Sequence, residues 1–326
     1  MATPLVCTPR SITPGQRATA TSMAASLGLE RPPQDSLSPS QRLIEAARNN
    51  TRGANPAVIS VVRTSSWGKG GARLTTAFVD NPRNDLRREI LRHLNLWGTR
   101  ANVEFVESTV DPMVRIDRRT GREWGGYWSY VGTEILGIPA DEPTMNFEGF
   151  TMSTPASEFR RVVCHEAGHT LGFPHEHMRR TLVRRIDPQK AYAYFLRTDG
   201  WSPQDVDQQV LTSLDGRTVL GTLPDQTSIM CYQLPGSIMR DGKPILGGTR
   251  INETDYQFAA TIYPPPGAPP GQTRPRRKAR KKATTRKSGR RVTKRKAAKK
   301  SVAKKSTMKR RTTKRTTKRT TKPRRT

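Results

Sequence analysis

Apolar positions along the chain follow two periods, and each switch between them marks an element. Leu74, Thr76 and Phe78 alternate with Thr75, Ala77 and Val79, which predicts a strand with both faces partly apolar. Leu86, Ile90, Leu94 and Trp97 then recur at helical spacing, so an amphipathic helix follows. Val103 with Phe105, and Val114 with Ile116, predict two more short strands. Gly125, Gly126 and Gly132 bracket a further candidate made of Tyr127, Trp128, Ser129, Tyr130 and Val131, and residues 145–150 give a fifth. Thr154–Pro155 reads as a cap and first-turn proline opening a second helix. After His177 the pattern loosens until a short helix from about Asn252 to Ile262. Strands and helices in this order predict an α+β domain, a mixed five-stranded sheet with helices packed on it.

The ends of the chain read differently. Residues 1–55 are rich in proline, threonine and serine with few large apolar positions. One short helix is expected there, with Ser38 as N-cap, Pro39 as first residue and Gln41 completing a capping box. The segment reads as a disordered leader, or as a prosegment covering a cleft. Residues 56–264 form the domain, 265–271 are a Pro/Gly linker and 272–326 a basic tail. All 20 aromatic residues lie between Trp67 and Tyr263.

Charge sharpens that division. Of the 58 Lys and Arg residues, 28 fall in residues 272–326, which hold no acid; the rest of the chain carries 30 bases against 27 acids, or +3. Such a run of like charge repels itself and does not fold alone. Arg-Thr-Thr-Lys repeats in tandem at 311–314, 315–318 and 319–322. The composition resembles the tails of linker histones and bacterial histone-like proteins, which implies nucleic acid or another polyanion as partner. With no aromatic residue in the tail, base stacking is not expected. No apolar stretch nears the ~18–20 residues of a membrane span, and no secretory signal is evident. Three scattered cysteines, Cys7, Cys164 and Cys231, make no disulfide framework. Together these favour an intracellular, DNA-associated location over a secreted one.

The chemistry sits in one run. Four of the five histidines lie in His165-Glu166-Ala167-Gly168-His169-Thr170-Leu171-Gly172-Phe173-Pro174-His175-Glu176-His177. On a helix His165 and His169 share a face and can grip one ion. Gly172 tolerates positive φ, so it can end the helix and let His175 swing back to the same ion. Three imidazoles and an open position describe a catalytic zinc site, one Zn2+ per chain. Glu166 is placed to act as general base. The remaining histidine, His93, reads as structural. Cys7 could block such a metal as a thiolate, but nothing around it resembles a known switch, and it reads as an ordinary leader cysteine. Cys164 and Cys231 read as buried free thiols.

His-Glu-x-x-His-x-x-Gly-x-x-His resembles the zinc motif of the metzincin metallopeptidases, and His175-Glu176-His177 resembles the astacin family among them. Ser228-Ile229-Met230-Cys231-Tyr232 is similar to that family's Met-turn, and Trp128-Ser129-Tyr130-Val131-Gly132 to the strand preceding its active helix. Asp199-Gly200-Trp201-Ser202 and Thr261-Ile262-Tyr263-Pro264 look closest to the bacterial, disulfide-poor branch. The resemblance implies two lobes about a cleft, the upper with the sheet and zinc helix, the lower mostly irregular and carrying Met230 beneath the metal. It also implies that Tyr232 ligates zinc at rest and swings out to stabilise the transition state, and that Glu176 anchors the lower lobe. The chain departs from the family in lacking cysteines for two disulfides and a Phe-x-Gly-Asp prosegment motif, and in having Cys231 where histidine is common.

The activity these features imply is hydrolysis of peptide bonds by a zinc-activated water, with Glu166 as base and then acid. Substrate is expected to add a strand along residues 127–131. The competing readings are a nucleic-acid packaging protein whose zinc domain is catalytically silent and a peptidase-like domain that binds peptides without cutting them.

Overall fold

The alternation over Ala72–Phe78 does become a strand, and in the computed structural model of the chain it lies inside a five-stranded sheet. The structure describes residue 7 and residues 10–29, 60–62, 65–121, 124–214, 219–221 and 224–267. The helix expected at Ser38, most of the linker and the basic tail lie outside these. The elements in chain order are α1 (Pro14–Ser26), β1 (Ser60–Val62), β2 (Ala72–Phe78), α2 (Asn84–Leu94), β3 (Val103–Glu107), β4 (Val114–Asp117), β5 (Tyr127–Ser129) and β6 (Met145–Phe147). α3 (Cys164–Thr170), α4 (Pro188–Asp199), β7 (Val219–Gly221) and α5 (Glu253–Ile262) follow, with short helical turns between.

The sheet order is β3-β2-β4-β6-β5. β2, β3, β4 and β6 run parallel, and β5 closes one edge antiparallel to β6, with Tyr127 opposite Phe147 and Ser129 opposite Met145. Residues 127–131 therefore do lie at an edge, but the strand stops at Ser129. Val131 caps a 3-10 helix over Gly132–Gly137, because Gly132 takes φ +56° beside the Ser65 carbonyl, where any side chain would collide. β1 and β7 form a separate antiparallel pair that the sequence did not suggest.

Two cores hold the lobes. The upper one packs Leu74, Ile90, Leu94, Trp97, Phe147, Phe150 and Phe173 between the sheet and the helices. The expected helix after Thr154 begins instead at Ala156, with Pro155 at the cap making no side-chain cap bond. It passes through a π turn, Phe159–Val163, into α3. The lower lobe is more regular than expected. Its core of Leu182, Phe195, Val206, Val210, Leu234 and Ile238 is built around the 12-residue α4. Asp187 caps α4 from the backbone N–H groups of Gln189 and Lys190, Pro188 fills its first position, and Gly200 ends it at φ +69°.

A helix the sequence reading did not place lies in the leader. Thr13 and Gln16 form a reciprocal capping box, and Pro14 starts α1. Its exposed length buries only Ala20 and Ala24, against the 132–137 turn of the upper lobe.

Candidate metal centre

All seven residues of α3 are buried. That depth is possible because Gly168 has no side chain: a Cβ there would meet the Met230 sulfur and lie 3.2 Å from the Trp97 ring. Met230 thus packs directly beneath the helix that carries the ligands. The helix ends as the motif requires. Gly172 adopts φ +88°, its N–H bonds the His169 carbonyl, and the N–H of Phe173 bonds that of Gly168. Pro174 and His175 are thereby turned back toward the helix.

The three histidines converge. His175 Nε2 lies 3.1 Å from His165 Nε2 and 3.0 Å from His169 Nε2. His165 Nδ1 donates to the Ile229 carbonyl at 2.6 Å and His169 Nδ1 to the Phe173 carbonyl at 2.8 Å. Since only an N–H can make those bonds, Nδ1 holds the proton in both rings and each Nε2 presents a lone pair. Burial pushes all three pKa values down, that of His165 to about 4. Neutral lone pairs aimed at one point repel unless a cation lies between them. Nitrogens held tetrahedrally at 2.0–2.1 Å would stand about 3.3 Å apart, close to the spacing found. The donor set fits zinc, and the Ile229 and Phe173 carbonyls hold two of the rings in the orientation and tautomer such ligands need.

Glu166 is buried beside them, and burial pushes its carboxyl up to about 8. Its Oε2 accepts a hydrogen bond from the Cys7 thiol at 3.2 Å, while Oε1 has no hydrogen-bond partner among the described residues. Cys7 is the departure from the sequence reading. Its sulfur and the three imidazoles all lie within 4.8 Å of one another, and Cys7 bridges Tyr127 of the edge strand in parallel register. An ordinary leader cysteine would not be there. Burial, then the neighbouring Glu166, holds the thiol protonated without metal; a coordinated cation would remove that proton.

Tyr232 lies across the site, its ring 4.1 Å from that of His175 and stacked on His177 at 4.2 Å. Its hydroxyl is buried with no hydrogen-bond partner among the described residues. His177 makes no part of the cluster: its Nε2 bonds the Gln209 carbonyl. Glu176 is fully buried, and its N–H bonds the Met230 carbonyl at 2.9 Å, joining the ligand loop to the lower lobe. The Met-turn is held from α5, a role the sequence reading missed. Asp255 accepts from the Ser228 hydroxyl at 2.6 Å and from the N–H groups of Ile229 and Asn252. The signal was available in the Asn252/Asp255 capping box that opens α5.

Cys7, Tyr127, Arg161, His165, Glu166 and Tyr232 are among the residues lining a cleft of about 480 Å³, counting the part open to solvent. Cys164 and Cys231 are buried free thiols, and His93 is buried with its Nδ1 on the Glu89 carbonyl.

No family model matches the chain. The solved structure of myroilysin does: it is 32% identical with a TM-score of 0.59, and the match covers 63% of this chain and 98% of that one. The chain belongs to the astacin-like zinc metallopeptidases. A zinc metalloproteinase of Caenorhabditis elegans, nas-27, is 32% identical over 94 residues, which are 28% of this chain and 19% of that protein. The chain thus spans about a fifth of that relative's length. As an astacin-like enzyme it is a zinc-dependent peptidase with an α+β fold. Among the described residues no helix is long and apolar enough to cross a membrane.

Proposed function

We propose that the chain is a zinc endopeptidase stored in a latent form, with residues 1–55 as its inhibitory segment. The observation that carries this reading is Cys7 within 4.8 Å of the three imidazole donors. His165, His169 and His175 would hold the ion, and Cys7 would fill the fourth position until the leader is displaced. Bound zinc supplies Lewis acidity, lowering the pKa of a water and polarising a substrate carbonyl.

The chain's own groups do the rest. Glu166 takes the proton of the attacking water at its carboxylate and returns it to the leaving amine. The thiol now on Oε2 must leave for this to happen, so one contact blocks both the open metal position and the base. The Tyr232 hydroxyl donates to the oxyanion as it forms; having no hydrogen-bond partner among the described residues, it supports a role that waits for substrate. Met230 does no chemistry and packs under Gly168. Substrate extends along β5, whose outer edge the leader now occupies at Tyr127. Incubation of the zinc-loaded chain carrying Cys7→Ala, in which the metal position and Glu166 are free, with unfolded casein, followed by mass spectrometry, tests the reading. Fragments that vanish with a zinc chelator are expected; cleavage that persists would refute it.

The tail, residues 272–326, supports a second assignment, to nucleic acid, on its 28 bases and no acids. Binding through phosphate neutralisation must fall by ~10³–10⁵ between 50 and 200 mM salt if six to ten phosphates are engaged. Gel-shift titrations of the intact and tail-truncated chain check this. Equal binding by the truncated chain would place the partner elsewhere.

A further inference from the structure

The leader touches the catalytic domain at a second point, three residues beyond Cys7. The Arg10 guanidinium carbon lies 4.2 Å from the Trp124 ring centroid and 4.4 Å from that of Trp128. The two indoles are 6.0 Å apart at 49°, fixed by a bond from Trp128 Nε1 to the Trp124 carbonyl. Arg10 also hydrogen-bonds the Tyr130 side chain, and Tyr130 packs edge-on against Trp128 at 6.0 Å. Trp128 and Tyr130 are buried members of the upper core, so two walls of this cage belong to the catalytic domain whether or not the leader is present.

We propose that Trp124, Trp128 and Tyr130 form a substrate subsite for a cationic side chain, which Arg10 occupies while the enzyme is latent. This rests on the peptidase reading above. Two aromatic faces and a phenol are poor company for a carboxylate, whereas ring quadrupoles attract a cation. Arginine suits the cage better than lysine, because a planar guanidinium stacks on both rings. The neighbouring Arg119, whose guanidinium carbon is 5.4 Å from Trp124, has its charge paired with Asp117.

The register places the subsite. Cys7 lies among the metal donors and bridges Tyr127 in parallel, so the leader runs along β5 toward Tyr130. Three residues of an extended substrate span about 10 Å. A substrate pairing antiparallel with β5, the more stable arrangement per residue, runs the opposite way to the leader. Its residue in the cage then stands about three positions before the scissile bond, on the amino-terminal side. The leader lies across the donors in the direction that substrate does not use, which suits storage.

The test uses the full-length, zinc-loaded chain carrying Cys7→Ala and Arg10→Ala, so that the leader neither reaches the metal nor fills the cage. Peptides built on the first mapped casein site carry arginine, or its neutral isostere citrulline, at the third position before the cut. The arginine peptide should show about tenfold higher kcat/KM, equivalent to about 1.4 kcal/mol. Adding Trp124→Ala should bring the ratio near one; because the comparison is internal to each variant, loss of folded protein cannot imitate it. A ratio near one before Trp124 is changed, or one that survives the change, overturns the subsite. So does a preference confined to the carboxyl-terminal side of the cut. Failure to cut casein at all would instead strike the peptidase reading, and the subsite with it.

Discussion

Two of the helices on the upper lobe are held in opposite ways. α3 buries every one of its seven residues and shares its core with Trp97, Phe173 and Met230. α1, nearly twice as long, buries two alanines. Beyond those, the described leader is held by Ile12, buried in the upper core, the Arg17–Glu134 ion pair at 2.6 Å, the Arg10 stack and the Cys7 contact. The ion pair and the stack are each worth about 1 kcal/mol or less when half-exposed, and a metal–sulfur bond would add to the buried Cys7 contact. The difference teaches where permanence resides. The ligand helix is part of the fold, whereas the leader is fastened by a few contacts that can be undone one at a time.

That contrast can be broken at several points. Glu166→Ala should leave one zinc per chain and lower turnover by about 10²–10⁴-fold; casein cleavage with unchanged kcat would remove Glu166 from the mechanism. Gly168→Ala attacks the permanent side. The new methyl group meets the Met230 sulfur in a full core, so the domain should lose about 1–3 kcal/mol in denaturant titration. An unchanged midpoint would mean that the contact beneath the metal is looser than described.

On the removable side, Cys7→Ala should raise the full-length chain's casein activity by about tenfold or more, since it frees both the metal position and Glu166 Oε2. Equal activity would make the leader a bystander. Gly137→Ala should do the same more weakly without touching the site. Its Cβ would meet the Gln16 carbonyl and lie 3.2 Å from Ala20 Cβ, all in the leader helix. Arg17→Ala removes a pair whose arginine is 54% exposed, so a change of about twofold is the most expected. An Arg17 effect exceeding that of Cys7 would reverse the ranking of the leader's contacts.

How legible these features were in the sequence depends on the range of the interactions. The metal helix was readable because its signal is local: two histidines at helical spacing, a glycine that takes φ +88°, and a third histidine just beyond. The strands carried their alternation, and β5 was marked by its flanking glycines. Cys7 was not readable, because its partner lies 159 positions away and its own neighbourhood is ordinary. α1 was overlooked for a different reason. Its cap, Thr13 with Pro14 and Gln16, is explicit, but a face made of alanines gives almost no apolar periodicity. α4 carried Asp187, Pro188 and Gly200 at its ends and was hidden by tyrosines and charges between them. Asp255 looked like a capping residue, and only the fold shows the same carboxylate holding the Met-turn.

The end of α3 also has a bearing on the order in which the protein assembles. Its last carbonyls are claimed from both extremes of the domain: the Trp67 indole donates to Thr170 at 2.7 Å, and the Tyr263 hydroxyl to Leu171 at 2.6 Å. Contacts of such long sequence separation form late, after the loops between them have closed. During synthesis, the ligand helix must therefore wait until Tyr263 has emerged before its C-terminal turn is secured. That turn is complete only once both Trp67 and Tyr263 are in place, by which time the leader, which precedes both in the chain, is already available to meet it.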